Sequence, residues 1–237
     1  MDIKRLLELA KVTPKKDFDQ YFLWDDRTLA EEVSLAKLTS KDVVLEVGAG
    51  IGNLTLQLSK KSKVIAVEKD YGFTHVLKGI PNTDSVMADA LEFLAPMRGK
   101  KVFNKIVSNI PYSISQELLL EFFRHEWDIA VLIVQKEFAQ KLVSKERLGM
   151  LMSDIADVKV GRTVPASYFY PVAVPSSIVV IKQKKMLDDM FWAFMCKLKP
   201  NKNVSMVKGA PAALGKKKVH QLTLAELKKL YASQLPA

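Results

Sequence analysis

A repeat in phase along one stretch of this chain leaves few folds open. Val43-Val-Leu-Glu-Val47 reads as a buried strand, and Gly48-Ala-Gly-Ile-Gly52 follows it directly. Leu54 and Leu58 then fall at helical spacing. A second strand, Val64-Ile-Ala-Val67, ends in Glu68, a third run from Ser85 to Ala88 ends in Asp89, and Ile106-Val107 leads to Asn109. Gly48, Glu68, Asp89 and Asn109 thus recur about every twenty residues, the length of one strand, one helix and two short loops. In a parallel sheet, equivalent points of successive units all lie at the carboxyl edge of the strands. That edge is where open α/β sheets bind ligands. One such acid alone is ordinarily a solvated loop residue; four positions in phase mark a site. The expected fold class is α/β with a Rossmann-like sheet.

The glycine turn narrows the ligand. Glycines let a backbone approach a nucleotide-type ligand closely. A dinucleotide fingerprint wants a further glycine at position 53, where this chain has Asn53. A cofactor without a pyrophosphate is therefore favoured. Glu68 is placed to accept both hydroxyls of a ribose, and Asp89 to accept from an adenine amino group. Gly48, Gly50, Glu68, Asp89 and Asn109 together point to an S-adenosylmethionine site.

Asn109-Ile110-Pro111-Tyr112 resembles the Asn/Asp-Pro-Pro-Tyr motif of enzymes that methylate an exocyclic amino group of a nucleobase. Adenine N6 is a poor nucleophile because its lone pair is delocalised into the ring. An amide oxygen and a backbone carbonyl that both accept from the NH₂ can draw that lone pair out of the plane. Asn109 supplies the first acceptor and Ile110 the second, since Pro111 fixes the turn and brings no competing N–H. Tyr112 offers a flat face to an extruded base. Four residues alone also suit a strand-end turn; the runs upstream of Asn109 decide between the two.

With these residues in place, the chain resembles the ribosomal RNA adenine N6,N6-dimethyltransferase family over about Lys15 to Lys182. The resemblance is carried by Gln20-Tyr-Phe-Leu23, Glu46-Val-Gly-Ala-Gly50, Glu68, Ala88-Asp-Ala90 and Asn109-Ile-Pro-Tyr-Ser-Ile-Ser115. Val164-Pro-Ala-Ser-Tyr-Phe-Tyr-Pro171 and Val174-Pro-Ser-Ser-Ile-Val-Val180 complete the ordered set. It implies a class I methyltransferase sheet and cofactor contacts at Tyr21, Leu23, Gly48, Glu68, Asp89 and Asn109. It implies a grip on the target adenine by Asn109 and Tyr112, with Phe169 on the opposite base face. Tyr168 and Tyr170 are read as packing residues. Asp19 and Tyr21 depart from the family's Gly-Gln-(Asn, His or Cys)-Phe-Leu pattern. With no short polar side chain at this position, Tyr21 can meet a cofactor only by its backbone or by stacking. Ser144 to Gly149 is shorter than the family's loop there, and Lys199-Pro-Asn-Lys-Asn203 replaces an arginine-rich segment.

Charge divides the chain. Of a net +10, Lys182 to Ala237 carries +9, from twelve lysines against Asp188, Asp189 and Glu226. A basic appendage on a near-neutral body is the footprint of backbone binding to nucleic acid, although a lysine run can also serve solubility. We expect residues 1–183 to form the methyltransferase domain. Residues 184–237 are expected to form a small basic helical RNA-binding domain, with Lys199, Lys202, Lys216, Lys217 and Lys218 on phosphates. Leu187 to Leu198 reads as a packed helix, and Leu222 to Leu230 as an amphipathic one capped by Thr223. Between them, the Gly/Pro/Lys-rich stretch Asn203 to Lys218 reads as mobile.

The sequence has 237 residues, 49% of them hydrophobic, enough for one mid-sized domain and a small addition. No run approaches the ~20 apolar residues that cross a bilayer. No signal peptide is read at Met1-Asp-Ile-Lys-Arg5. Cys196, the single cysteine, agrees with a reducing cytoplasm and reads as a buried, inert thiol. His75, His125 and His220 lack ligand spacing, so no metal is expected. The function this implies is dimethylation of two adjacent adenines near the 3′ end of small-subunit ribosomal RNA. The partner is that RNA in an assembling small subunit, met by a monomer. The rivals are an RNA or DNA adenine monomethyltransferase of the same fold, and a ribosome-assembly factor acting mainly by binding.

Overall fold

The computed structural model describes residues 3–235. Its strands are β1 (Phe22–Leu23), β2 (Val43–Val47), β3 (Lys63–Glu68), β4 (Thr83–Met87), β5 (Lys105–Asn109), β6 (Ile129–Gln135), β7 (Ala156–Val164), β8 (Phe169–Tyr170) and β9 (Ser176–Gln183). Among the described residues, seven of these form one sheet in the order β4-β3-β2-β5-β6-β9-β7. The strands from β4 to β6 are parallel, and β9 and β7 close the sheet antiparallel. β7 runs well beyond the expected Val158 to Val160, with an irregularity between Val160 and Thr163.

The runs of β2, β3 and β5 became strands because they are apolar on both sides. Leu45, Val47, Ile106, Leu132 and Val134 join the core on one face of the sheet, with the helices Ser115–Phe122 and Arg147–Ile155 over it. Val44, Val64, Ala66, Val107, Val131 and Ile133 join the core on the other, beneath the helices Asp26–Leu35 and Asn53–Ser59. Near-continuous apolar strands are what a sheet buried on both faces requires. The chain builds β2, β3 and β4 outward, then returns to place β5 on the other side of β2. That reversal puts a crevice at the carboxyl ends of β2 and β5. Gly48 and Asn109 lie on its two sides.

The C-terminal stretch has a core of its own. Phe191 and Met195 from the first helix (Asp189–Lys197), with Leu198 just past its end, meet Leu227 and Leu230 from the second (Leu224–Ala232). Thr223 caps the second helix reciprocally: Glu226 N–H donates to its hydroxyl, and the Glu226 carboxylate accepts from Thr223 N–H at 3.0 Å. The segment expected to be mobile is packed instead. Val204 and Leu214 are buried in the same core, in 3₁₀ turns at Val204–Met206 and Ala212–Leu214, and Val219 just past the segment is buried there too. Its two glycines and Pro211 serve turns between apolar anchors. Cys196 is likewise a correction: it is exposed, because it lies one helical step past buried Met195. Lys185 and Lys228 both pair with Asp154, at 2.7 and 2.5 Å, and tie this stretch to the helix Arg147–Ile155.

Candidate functional site

A cleft at the carboxyl edge of the parallel strands gathers most of the residues expected from sequence. Its walls include Tyr21, Leu23, Gly48, Gly50, Glu68, Asp89, Asn109 and Pro111. Gly48 and Gly50 hold φ of 73° and 52°, and a Cβ on Gly50 would stand 2.9 Å from the Phe22 ring. The turn therefore needs glycine for its backbone and, at position 50, for space.

Glu68 ends β3 and is nearly buried. Its two carboxylate oxygens accept from Gly50 N–H and Asp70 N–H, each at 2.7 Å. Burial pushes its pKa up, and those two backbone donors offset part of the rise. Each oxygen keeps a lone pair for a further donor, such as a ribose hydroxyl. Asp89 caps the helix Ala90–Leu94 through one oxygen and pairs with Lys69 through the other at 2.9 Å. The Lys69 hydrogen bond holds Asp89 below the usual carboxylate range. Glu46 also lines the cleft; burial, reinforced by the neighbouring Glu68 carboxylate, pushes it up to about 8.

Asn109 is the last residue of β5. Its Oδ1 is shut away from solvent and has no hydrogen-bond partner among the described residues. A buried acceptor without a donor costs stability unless something else uses it. Ser108, one residue earlier, anchors β5 to β2 by donating to Val47 O at 2.6 Å. Ile110 is buried in the core, and the Ser115 hydroxyl donates to Pro111 O at 3.0 Å, fixing the turn. Tyr112 shares a 2.8 Å hydrogen bond with the Ser176 hydroxyl, and its ring stacks on Tyr21.

Other expected residues lie apart. Phe169 pairs with Leu23 through β8 and β1, and its side chain is 3% exposed within the core rather than facing the cleft. Leu23 meets the cleft, but its side chain is in the same core and its carbonyl accepts from the Asn53 side chain. The lysines split by role. Lys199, Lys202, Lys216 and Lys218 are exposed, and pairing of Asn203 with Lys218 brings the two stretches that carry them together. Lys217 is held by Glu226 at 2.5 Å and so helps secure the capping box.

Gln20 was visible in the motif without an assigned role. It is 8% exposed, donates to Asp70 at 2.8 Å and accepts from Lys15 N–H at 2.7 Å. Burial alone would raise Asp70, but bonds from Lys15 and Gln20 outweigh it and hold its pKa low. Gln20 thus pins the N-terminal segment beside the Glu68 turn.

The residues fit S-adenosylmethionine: a close-approach glycine turn, a buried carboxylate beside it, and an orphaned acceptor across the crevice. Residues 12–226 match the family model described as ribosomal RNA adenine dimethylase. The chain belongs to that family. Among curated relatives, the probable ribosomal RNA small subunit methyltransferase A of Methanococcoides burtonii is 39% identical over 68% of this chain. That of Methanosarcina barkeri is 41% identical over 69% of it. The matches span 62% and 59% of those two proteins. A dimethyladenosine transferase from Plasmodium falciparum superposes with TM-score 0.73 at 24% identity, over 88% of this chain and 95% of its own. The 23S rRNA methyltransferase ErmE gives 0.66 at 24%, over 90% and 98%. This dimethylase-family chain therefore has the class I methyltransferase fold. No metal-binding cluster occurs among the described residues, and no described helix is long and apolar enough to cross a membrane.

Proposed function

We propose that the protein transfers methyl groups from S-adenosylmethionine to adenine N6 in small-subunit ribosomal RNA, twice at each of two adjacent adenines near its 3′ end. The observation that carries this is the buried, partnerless Oδ1 of Asn109, at the switch point of a sheet whose other edge residues suit the cofactor. Bound S-adenosylmethionine supplies a methyl group already activated on a sulfonium, so no strong base is needed. Asn109 Oδ1 and the Ile110 carbonyl accept from the N6 amino group and hold its lone pair toward that methyl. They then stabilise the positive charge that develops on N6 until its proton leaves. Tyr112 stacks on the base. Glu68 accepts the ribose hydroxyls, Asp89 the cofactor amino group, and the backbone of Tyr21 with Leu23, Gly48 and Gly50 shapes its bed. Residues 1–183 form the catalytic part, and residues 184–237 hold RNA phosphates. The protein works as a cytoplasmic monomer on an assembling subunit.

Labelled S-adenosylmethionine and immature small ribosomal subunits provide the test. N6,N6-dimethyladenosine at two adjacent 3′-end adenines is the expected product; monomethyladenosine alone would narrow the activity, and no transfer would refute it.

Glu68→Ala is expected to raise the cofactor Kd on the order of 10²-fold, since it removes hydrogen bonds to an ionised group. Affinity for RNA should hardly move. Because the folded pKa of Glu68 is raised, wild-type cofactor affinity should fall as pH drops through that value. Calorimetry showing an unchanged Kd in Glu68→Ala would remove the ribose assignment. Replacing Lys199, Lys202, Lys216 and Lys218 with Ala should flatten the log-affinity versus log-salt slope by roughly 0.7 to 0.9 per lost phosphate contact. An unmoved slope would place RNA elsewhere. Lys217→Ala should instead lower stability, by releasing Glu226.

A further inference from the structure

The two departures from the family's N-terminal motif lie together in the fold. Asp19 stands where the family has glycine, and it keeps a left-handed backbone with φ 51°. Its carboxylate accepts from Ser113 N–H at 2.8 Å. Tyr21 stands where the family has Asn, His or Cys, and its ring lies on that of Tyr112, with centroids 5.9 Å apart and planes 20° apart. Both departures therefore touch the turn that follows Asn109, one at its backbone and one at its aromatic ring. Tyr112 is tethered behind by its hydrogen bond to Ser176. Between rings at 5.9 Å there is no room for a third, because a sandwiched base needs two contact separations, about 7 Å. The Asn109 acceptor is meanwhile closed to solvent.

We propose that Tyr21 is a stand-in for the target adenine. In the free protein it covers the face of Tyr112 on which the base stacks, Asp19 latches it there, and base entry exchanges one ring for the other. This rests on the dimethylase reading, which makes Tyr112 the stacking residue. It makes Tyr21 a determinant of which bases enter. An incoming base must displace a ring that is already in contact, which favours the larger stacking face of a purine over a pyrimidine.

Kinetics on immature small subunits test the exchange. An aromatic pair of this kind is worth roughly a 2- to 12-fold preference. Tyr21→Ala should lower the KM for subunits by a factor in that range, with kcat moving less. Tyr21→Phe keeps the ring and should keep the higher KM, and Asp19→Gly should lower KM in part. A KM that rises in Tyr21→Ala overturns the proposal and makes Tyr21 a wall of the base site. A second readout needs no methyl transfer. Nitration of Tyr112 by tetranitromethane, followed by mass spectrometry, should be slow in the wild type and several-fold faster in Tyr21→Ala. Equal rates refute the cover whatever the activity. Faster nitration in a protein that transfers no methyl to subunits supports the cover and refutes the dimethylase reading instead.

Discussion

Asn109→Ala is expected to slow methyl transfer on the order of 10²- to 10³-fold, the usual loss when one preorganised hydrogen-bonding group is removed from a site of developing charge. The fold should not suffer, because Asn109 Oδ1 makes no bond within the described protein. The strand end is held by other means: Ser108 on Val47, and parallel pairing of Asn109 with Ile133. The thermal midpoint of Asn109→Ala should therefore stay near the wild-type value while single-turnover transfer collapses. Asn109→Asp, which keeps an acceptor but adds charge, should fall between. If the alanine protein turns over within threefold of wild type, Asn109 is not the acceptor. If it is inactive yet supports subunit maturation in cells, the protein's binding matters more there than its chemistry.

The parallel sheet was legible because its signal is redundant. Three apolar strands and a mixed fourth, each ending in a distinctive residue at similar spacing, can be read without knowing any contact. Gly48, Glu68, Asp89 and Asn109 all reached one cleft for that reason. What escaped the sequence depends on packing between distant segments. Periodicity cannot show that Asp19 and Tyr21 fold onto Ser113 and Tyr112, nor that Gln20 holds Asp70. Phe169 was assigned by resemblance, and only the pairing of β1 with β8 shows that its ring is enclosed. The stretch from Asn203 to Lys218 has a loop's composition, yet Val204 and Leu214 anchor it against two helices. Cys196 failed for a different reason. Its helix is apolar enough to read as buried throughout, whereas just one face meets the core.

Glu32→Leu should stabilise the protein, and the gain should grow with pH. Leu29, Glu32 and Val33 on the helix Asp26–Leu35, and Ala36 at its C-terminal cap, fall at the spacing of one helical stripe, and all four are buried. Neither carboxyl oxygen of Glu32 has a hydrogen-bond partner among the described residues. Burial, and then the neighbouring Glu46 carboxylate, hold its pKa well above the usual value. Since the folded pKa is raised, the relative stability is fully present below the unfolded pKa of about 4.3 and is lost as pH climbs. The loss reaches about 1.4 kcal/mol per pH unit and ends once the folded group ionises. Glu46, pushed up to about 8, adds a second falling slope from about pH 4.5 to 8. Leucine at position 32 removes the first slope and completes the apolar stripe. Urea unfolding should then show little difference from wild type near pH 4.5, and a gain that grows steadily toward pH 7. An equal gain at both values would mean that packing, rather than the buried carboxyl, sets the difference. Cofactor affinity should be unaffected, because Glu46 and Glu68, not Glu32, line the cleft. A weakened cofactor Kd in Glu32→Leu would instead show that the buried acid reaches the site through Glu46.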